Sequence, residues 1–272
     1  MRDVLDVESA AGLVTVQDDG RPGLAHEGTP RAGALVPAWL HAANALAGNG
    51  EGEAAVEIVG RLVVRARERL RVATERGAAE LGAGERLEVA PARGARVTYL
   101  AVQGGVAVPE VRGSRATLLV AGLGGLGGRV LRRGDALPAG ETRAARPAAA
   151  PADVVHDLAR AIGVVPGPDE DAFAAGAIDV LLASTFVVAP ESDRVGVRLT
   201  GPPLPRRVDA ADETRPMVPG ALEVPGAGQP IVLGPDGPTT GGYPVIAVVA
   251  SADLGALLAR APGERVRFVR AA

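Results

Sequence analysis

The chain contains no lysine and no cysteine, and each absence excludes a class of chemistry. Because all 29 basic residues are arginine, the chain cannot form a Schiff base through lysine, carries no phosphate-loop lysine and has no residue to which biotin could be attached. Without cysteine there are no disulfides, thiol nucleophiles or thiolate metal ligands. The three histidines, His26, His41 and His156, are far apart in sequence. We therefore expect no metal site.

Charge and hydropathy exclude further classes. The net charge of −3 and the pI of about 5.7 provide no electrostatic footprint for nucleic acid or for an anionic membrane. The longest apolar-leaning run, residues 180–189, has half the length of a membrane span, and residues 1–10 lack the pattern of a secretory signal. We expect a soluble, cytoplasmic protein with neither a nucleic-acid nor a membrane partner.

Glycine and proline are abundant and spread along the chain, with 37 and 22 residues, a pattern typical of a mainly β fold with many turns. With 47% apolar residues, the 272-residue chain can form a full core in one large domain or in two of roughly 130 residues. The apolar periodicity predicts a few short helices, at residues 37–47, 152–162, 172–182 and 251–259. The strands it predicts lie at residues 95–102, 117–121, 186–189, 196–199, 230–233, 245–250 and 265–269.

Three Gly-acid turns resemble one another, at residues 84–87, 134–137 and 263–266, each placed just before a strand. Glycine accepts a positive φ there, and the carboxylate can accept hydrogen bonds from nearby N–H groups. Their recurrence suggests two similar β-barrel lobes. The Ala/Pro-rich residues 136–152 then read as a linker, which divides the chain into domains at residues 1–145 and 146–272.

A glycine-rich stretch at residues 122–127, Gly-Leu-Gly-Gly-Leu-Gly, spells the dinucleotide-binding fingerprint. A Rossmann site needs a helix directly after these glycines, so that its N-terminus meets the pyrophosphate. The next turn, at Gly134-Asp135, follows too soon for a helix of useful length. We therefore interpret the stretch as a glycine loop between two strands.

Four segments combine hydrogen-bonding side chains with glycines that let a ligand approach the backbone, and we expect them to line one binding site. They comprise residues 15–23 with His26, residues 113–117, residues 192–198 and residues 236–244. Structural alternatives stand beside this interpretation. Asp18–Arg21 and Asp193–Arg194 could be turn-stabilising pairs, and His26 a packed or surface histidine. No Gly-x-Ser-x-Gly elbow is present, which disfavours a serine hydrolase.

The same segments resemble one family along most of the chain: the C subunit of 5-oxoprolinase, also called allophanate hydrolase subunit 2 or the Kip-inhibitor antagonist. The same domain occurs in the carboxyltransferase part of urea carboxylase. The motifs that carry the resemblance are Thr-Val-Gln-Asp-x-Gly-Arg-Pro-Gly at 15–23, Gly-Ser-Arg at 113–115, Ser-Asp-Arg-x-Gly-x-Arg-Leu-x-Gly at 192–201, Val-Pro-Gly-Ala at 218–221, Gly-Gln-Pro-Ile at 228–231 and Thr-Thr-Gly-Gly-Tyr-Pro at 239–244.

The resemblance implies two cyclophilin-like β-barrel lobes and an ATP-dependent 5-oxoprolinase, which hydrolyses 5-oxo-L-proline to L-glutamate. It implies a hetero-oligomer with a partner like the B subunit of that enzyme, which the A subunit completes, and ATP with Mg²⁺ shared with a partner. The catalytic candidates, which would orient the substrate or a water, are Gln17, Asp18 and His26. The substrate-binding candidates are Arg21, Ser114, Arg115, Asp193, Arg194, Thr239, Thr240 and Tyr243.

Polar positions depart from the family pattern more often than glycines do. Leu118 and Val120 stand where relatives usually have Asp and Arg, and Glu223 stands in place of Gln. Pro238 replaces a Gln, and Thr214-Arg215 replaces Ser-Glu. A preserved fold with a changed substrate would produce this pattern.

Two alternative functions remain open. The chain could be a carboxyltransferase component that acts on urea or a similar small amide and receives its carboxyl group from biotin held by another protein. It could instead be a non-catalytic binder that antagonises a kinase-inhibiting partner. A stable complex with that partner, unchanged by Arg115→Ala or Asp193→Ala, would favour the binder, whereas a catalytic role predicts lost turnover with little lost association.

Overall fold

The computed structural model describes residues 2–50, 52–141, 157–207 and 213–271. They divide into two compact units, the first with residues 2–22 and 32–141 and the second with residues 23–31 and 157–271. The sequence did not indicate that residues 23–31 belong to the second unit. The predicted boundary between residues 145 and 146 lies outside the described residues.

The first unit is a β sheet of seven strands with one helix. Its strands are β1 (Arg2–Gln17), β2 (Ala55–Ala66), β3 (Leu70–Thr74), β4 (Gly77–Leu81), β5 (Arg86–Val89), β6 (Thr98–Val102) and β7 (Ala136–Ala139). They run in the order β4-β3-β6-β2-β1-β7, and β5 also pairs with β2. Aliphatic side chains from β1, β2 and β6, such as Val14, Ile58 and Leu100, form its core.

Helix α1 (Pro37–Ala47) confirms the helix predicted there. Proline at its first position suits a helix start, because that N–H would have no partner within the helix. The helix ends at Gly48, whose φ of 82° is a left-handed conformation that glycine adopts without steric cost. Trp39 and Leu40 are buried on the face that packs against β3 and β6.

The second unit contains a closed barrel of seven strands. They follow the order β10-β13-β12-β15-β8-β16-β9, and β11 and β14 form a separate two-stranded ribbon. The strands are β8 (Ile162–Pro166), β9 (Thr185–Val188), β10 (Gly196–Thr200), β11 (Arg215–Pro216), β12 (Ala221–Glu223), β13 (Ile231–Leu233), β14 (Thr240–Gly241), β15 (Val245–Val249) and β16 (Arg265–Arg270). The helices of this unit are α2 (Ala177–Ala183) and α3 (Ser251–Leu258). Phe186 and Phe268 meet edge to face in the core, with ring centroids 6.0 Å apart.

Most predicted strands are confirmed, as β6, β9, β10, β13, β15 and β16, with ends shifted by up to three residues. The strand predicted at residues 117–121 is wrong, because Leu119–Ala121 forms a 3-10 turn. The strands β1 and β2, which are the longest in the described chain, were not predicted.

The helix predictions after α1 had mixed outcomes. The helix predicted at 251–259 is confirmed as α3, and the one predicted at 172–182 is shorter and begins at Ala177. The helix predicted at 152–162 is wrong over its described part, since residues 157–161 are not helical and Ile162 begins β8. The predicted linker is wrong at its start, where β7 pairs with β1, and residues 142–152 lie outside the described residues.

The three Gly-acid turns are confirmed, and each precedes a strand: β5, β7 or β16. Their glycines have φ values between 81° and 91°. The Glu85 and Asp135 carboxylates accept hydrogen bonds from the backbone N–H groups of Gly82 and Arg132, at 2.9 and 2.8 Å. The prediction of a mainly β fold with two barrel-like lobes is confirmed as well. No helix among the described residues is long and apolar enough to cross a membrane.

In the two longest strands, Gly12 of β1 is paired with Gly60 of β2. Both glycines have a positive φ, 88° and 133°. A Cβ on Gly60 would overlap the carbonyl oxygen of Ala11, and a Cβ on Gly12 would overlap that of Val59. Only glycine fits at either position.

Gly60→Ala should therefore destabilise the chain by at least about 1 kcal/mol. The measurement is urea unfolding. Gly77→Ala is the matched control, because Gly77 has open space around it and lies in β4 without a positive φ. Equal unfolding midpoints for the two variants would contradict this account of the strand crossing.

Candidate functional site

In the first unit, the carboxylate of Asp18 joins two of the predicted segments. Its Oδ1 accepts hydrogen bonds from the Gly20 N–H at 2.8 Å and from the Ser114 hydroxyl at 2.6 Å. Its Oδ2 accepts one from the Arg115 N–H at 2.6 Å. Charge-assisted bonds of this kind are strong. The carboxylate therefore holds residues 113–117 against residues 15–22.

Arg21 is buried beside Asp18 and binds backbone oxygens within the second segment and just before it. Its Nη2 donates to the Ala116 carbonyl at 2.6 Å, and its Nε donates to the Val111 carbonyl at 3.1 Å. The residue is 1% exposed. A guanidinium in this position organises a loop, and the substrate contact predicted for Arg21 stays a prediction.

Gln17 extends the same buried network. Its Nε2 donates to the Thr15 hydroxyl at 2.9 Å and to the Thr117 carbonyl at 3.1 Å. Thr117 returns a bond from its hydroxyl to the Val16 carbonyl at 3.0 Å. The Oε1 of Gln17 is buried and has no hydrogen-bond partner among the described residues.

The glycine loop predicted at residues 122–127 covers this network. No helix follows it within the described residues up to Glu141, which confirms that it is not a Rossmann turn. A Cβ on Gly124 would overlap the Ala116 carbonyl and lie 2.8 Å from Nη2 of Arg21. A Cβ on Gly125 would overlap the Thr117 hydroxyl. The glycines are needed so that the loop can lie directly on the buried polar groups.

Arg115 reaches the surface of the first unit. Its Nε donates to the Val108 carbonyl at 2.9 Å, and its Nη1 lies 3.0 Å from Glu110 Oε1. The Ser114 hydroxyl points inward, to Asp18, and accepts a bond from the Ala116 N–H at 3.0 Å. Of the first unit's substrate-binding candidates, Arg115 therefore has the most accessible side chain.

Two histidines differ in their surroundings. His26 lies in the second unit, on an exposed 3-10 turn (Ala25–Glu27), and its side chain is 73% exposed. This placement agrees with the alternative of a surface histidine. His41 on α1 was not predicted as a site residue, yet its Nε2 lies 2.7 Å from Asp19 Oδ1. Nothing in the sequence pairs these residues, because they are 22 positions apart and belong to different elements.

In the second unit, the third and fourth segments are joined by a buried ion pair. Nε of Arg194 lies 2.8 Å from Asp236 Oδ2, and its Nη2 lies 2.9 Å from Oδ1. Asp193 shapes the adjoining turn, because its Oδ1 accepts bonds from the N–H groups of Val195 at 2.8 Å and Gly196 at 3.0 Å. Both predicted residues are therefore built into the scaffold of the third segment.

The fourth segment leaves several hydroxyl groups accessible. Thr240 lies in β14, opposite Pro216 of β11, and Tyr243 is 46% exposed. The hydroxyl groups of Thr239, Thr240 and Tyr243 form no hydrogen bond with another described residue. They are free to bind a ligand. The structure thus unites the predicted segments in two pairs, one in each unit, and a single site lined by all four stays a prediction.

Glu223, which replaces a family Gln, is buried beneath the fourth segment at 5% exposure. Its Oε1 lies 2.8 Å from the position that a Cβ on Gly241 would occupy. Burial raises the pKa of the Glu223 carboxyl. The other departures differ in burial: Leu118 packs with Ala32 and Ala116, whereas Val120 is exposed.

Comparison with known proteins defines the class of the chain. A family model described as carboxyltransferase domain, subdomain A and B, matches residues 75–270. The chain belongs to this family. The match covers the later part of the first unit and nearly all of the second.

Individual relatives are more specific. The C subunit of 5-oxoprolinase from Escherichia coli is 36% identical over 98% of this chain and 91% of its own length. The protein of the same name from Haemophilus influenzae is 33% identical over 98% of this chain and 90% of its own length. These similarities confirm the resemblance read from the motifs.

A solved structure extends the comparison to a second activity. Kluyveromyces lactis urea carboxylase superimposes on all of this chain with a TM-score of 0.90 and 27% identity. The chain spans only 28% of that protein.

Breaking the Arg194–Asp236 pair should strongly destabilise the chain. Arg194→Ala should cost about 3–5 kcal/mol in urea unfolding, because it leaves a buried carboxylate uncompensated. Removing both charges in Arg194→Met/Asp236→Leu should cost less than the single change. Arg61→Ala is the control, because its partner Glu88 and Arg61 itself are about half exposed, and such pairs contribute about 0–1 kcal/mol. A similar loss of stability in Arg194→Ala and Arg61→Ala would contradict a structural role for the buried Arg194–Asp236 pair.

Glu223→Gln should change the pH dependence of stability. Because the folded-state pKa is raised above the unfolded value, the carboxyl contributes its full stability below the unfolded pKa and loses it as pH rises through the folded pKa. Glutamine cannot ionise, so the variant should have the higher melting temperature at about pH 8, and the difference should vanish or reverse at about pH 4. A constant difference across this range would argue against an ionising Glu223.

Proposed function

We propose that the chain is a subunit of an ATP-dependent 5-oxoprolinase that hydrolyses the lactam of 5-oxo-L-proline to L-glutamate together with A-like and B-like subunits. The observation that carries the proposal is the 36% identity that extends over nearly the whole length of both this chain and the C subunit of 5-oxoprolinase. A similarity of this extent includes both units and all four polar segments, rather than a single shared domain.

The candidate site residues fall into a buried group and an accessible group, and we propose a different role for each. Asp18, Arg21 and Arg194 are buried and bonded to loops, which favours positioning roles over direct contact with substrate. Arg115 and Tyr243 are accessible and have side chains that can bind a carboxylate or a lactam carbonyl. We expect these accessible groups, together with Thr239 and Thr240, to contribute to turnover.

ATP with Mg²⁺ has no fitting site among the described residues that we can name. The glycine loop at 122–128 is the one nucleotide-like motif in the sequence, but the space beside Gly124 and Gly125 is filled by the chain itself. A phosphate therefore cannot lie against the backbone at Gly124 or Gly125, where the fingerprint would need it. We assign the nucleotide to a partner protein of the complex, and we assign this chain the task of binding and orienting part of the lactam substrate.

Reconstitution tests the proposal. Co-expressed with the A-like and B-like subunits, the chain should confer ATP-dependent release of glutamate from 5-oxo-L-proline. Arg115→Ala and Tyr243→Phe should each lower kcat/KM about tenfold or more, which corresponds to a loss of about 1.4 kcal/mol of transition-state binding. Arg61→Ala, at an exposed position of β2, should retain the wild-type rate. A rate that is the same with and without this chain would refute the proposal.

A second candidate function is the transfer of a carboxyl group from biotin to a small amide such as urea. The family model and the superposition on urea carboxylase favour it. Because the chain has no lysine, another protein would have to carry the biotin. Urea-dependent decarboxylation of a carboxybiotinylated carrier, without glutamate release from 5-oxoproline, would support this function over the first.

A further inference from the structure

The second unit contains a cavity of about 600 Å³ that none of the site residues predicted from the sequence lines. Small-molecule sites typically have volumes of about 300–1,000 Å³. The cavity lies where β10 and the turn before β13 meet, and its walls include Arg198, Thr200 and Gln229. Two sequence motifs, at residues 192–201 and 228–231, therefore converge on it.

Arg198 brings a positive charge to this cavity. Its backbone is held on both sides: its N–H donates to the Ser192 hydroxyl at 3.0 Å, and the residue pairs with Ile231 of β13. Its guanidinium forms no hydrogen bond or ion pair with any described residue. It differs in this respect from Arg194, whose guanidinium is occupied by Asp236. A planar guanidinium with free N–H groups on a fixed strand suits a carboxylate.

Gln229 supplies a second donor in a fixed orientation. Its Oε1 accepts a bond from the Gly201 N–H at 3.0 Å, and its Nε2 donates to the Gly201 carbonyl at 3.1 Å. These two bonds set the direction of the amide and leave one of its N–H groups unused. The hydroxyl of Thr200, which also forms no bond with a described residue, can donate or accept.

The other residues that line the cavity indicate which further groups a ligand should carry. Glu191 is an acceptor with no described partner, and Pro230 and Ile231 provide apolar surface. A matching ligand therefore has a carboxylate, a carbonyl that accepts a bond, an N–H that donates one, and a small apolar body.

We propose that this cavity binds a small carboxylic acid that carries an amide, with the carboxylate on Arg198 and the amide facing Gln229 and Glu191. Resting on the proposed function, the ligand is 5-oxo-L-proline, a five-membered lactam with one carboxylate. The chain would then hold the substrate through Arg198, which takes no part in the buried contacts of Asp18 or in the Arg194–Asp236 ion pair.

Calorimetric titration of the purified chain with 5-oxo-L-proline tests the proposal. Wild type should bind in a saturable manner, and Arg198→Ala should weaken binding at least tenfold. 2-Pyrrolidinone, the same lactam without the carboxylate, should bind at least tenfold more weakly to wild type and equally to both proteins. Arg267→Ala is the matched control, because Arg267 is also exposed and unpaired among the described residues but lines a different cavity. It should bind like wild type.

Arg198→Lys serves as a second variant if the alanine variant does not fold. It keeps the charge but loses the planar pair of donors, so an intermediate loss of affinity is expected. No saturable binding by wild type, or equal binding by wild type and Arg198→Ala, would overturn the proposal. Equal weakening by Arg198→Ala and Arg267→Ala would also overturn it, because it would indicate a nonspecific charge effect.

The outcome separates this inference from the proposed function. If Arg198-dependent binding is found but the reconstituted complex releases no glutamate, the cavity proposal holds and the 5-oxoprolinase proposal fails. If the reconstituted enzyme is active and Arg198→Ala leaves its KM unchanged, the cavity proposal fails and the 5-oxoprolinase proposal holds.

Discussion

Buried charges that reach across long sequence separations hold the polar loops of this protein in place. Asp18 binds the Arg115 N–H, 97 residues away, and Arg194 binds Asp236, 42 residues away. The loops they join are rich in glycine and polar side chains. A buried charge that lost its partner would be strongly unfavourable, and each loop is therefore confined to one arrangement.

This constraint changes how the polar motifs are interpreted. The residues most suggestive of chemistry in the sequence, Asp18, Arg21 and Arg194, have their polar groups turned inward. Their bonds fix the shape of the loops to which they belong. The side chains that the scaffold leaves unpaired, namely the hydroxyls of residues 239–243 and the guanidinium of Arg198, are the ones proposed to serve a ligand. A residue that belongs to a polar motif therefore need not contact a ligand. Buried backbone and side-chain polar groups of the loop require hydrogen-bond partners, and motif residues supply them.

Local signals predicted the elements that depend on local chemistry. Proline at position 37 and glycine at position 48 mark both ends of α1, and the Gly-acid turns mark the starts of three strands. The longest strands were not predicted. Gly60 interrupts the apolar pattern of β2. The need for glycine at this position becomes clear only from its pairing with Gly12 of the neighbouring strand. Residues 117–121 have strand composition, yet Leu119–Ala121 forms a 3-10 turn and Leu118 packs in an apolar cluster with Ala32 and Ala116.

The sequence by itself determined the β-rich class, the family, and the chemistry that a chain without lysine or cysteine cannot perform. These follow from composition and from motifs that are contiguous in the chain. Only the tertiary structure decided which arginines are occupied and which are available, since each guanidinium finds its partner through folding across tens of residues. Arg194 and Arg198 lie four positions apart in one motif, yet the first is bonded to Asp236 and the second faces a cavity. Burial and partner geometry, which the fold creates, distinguish them.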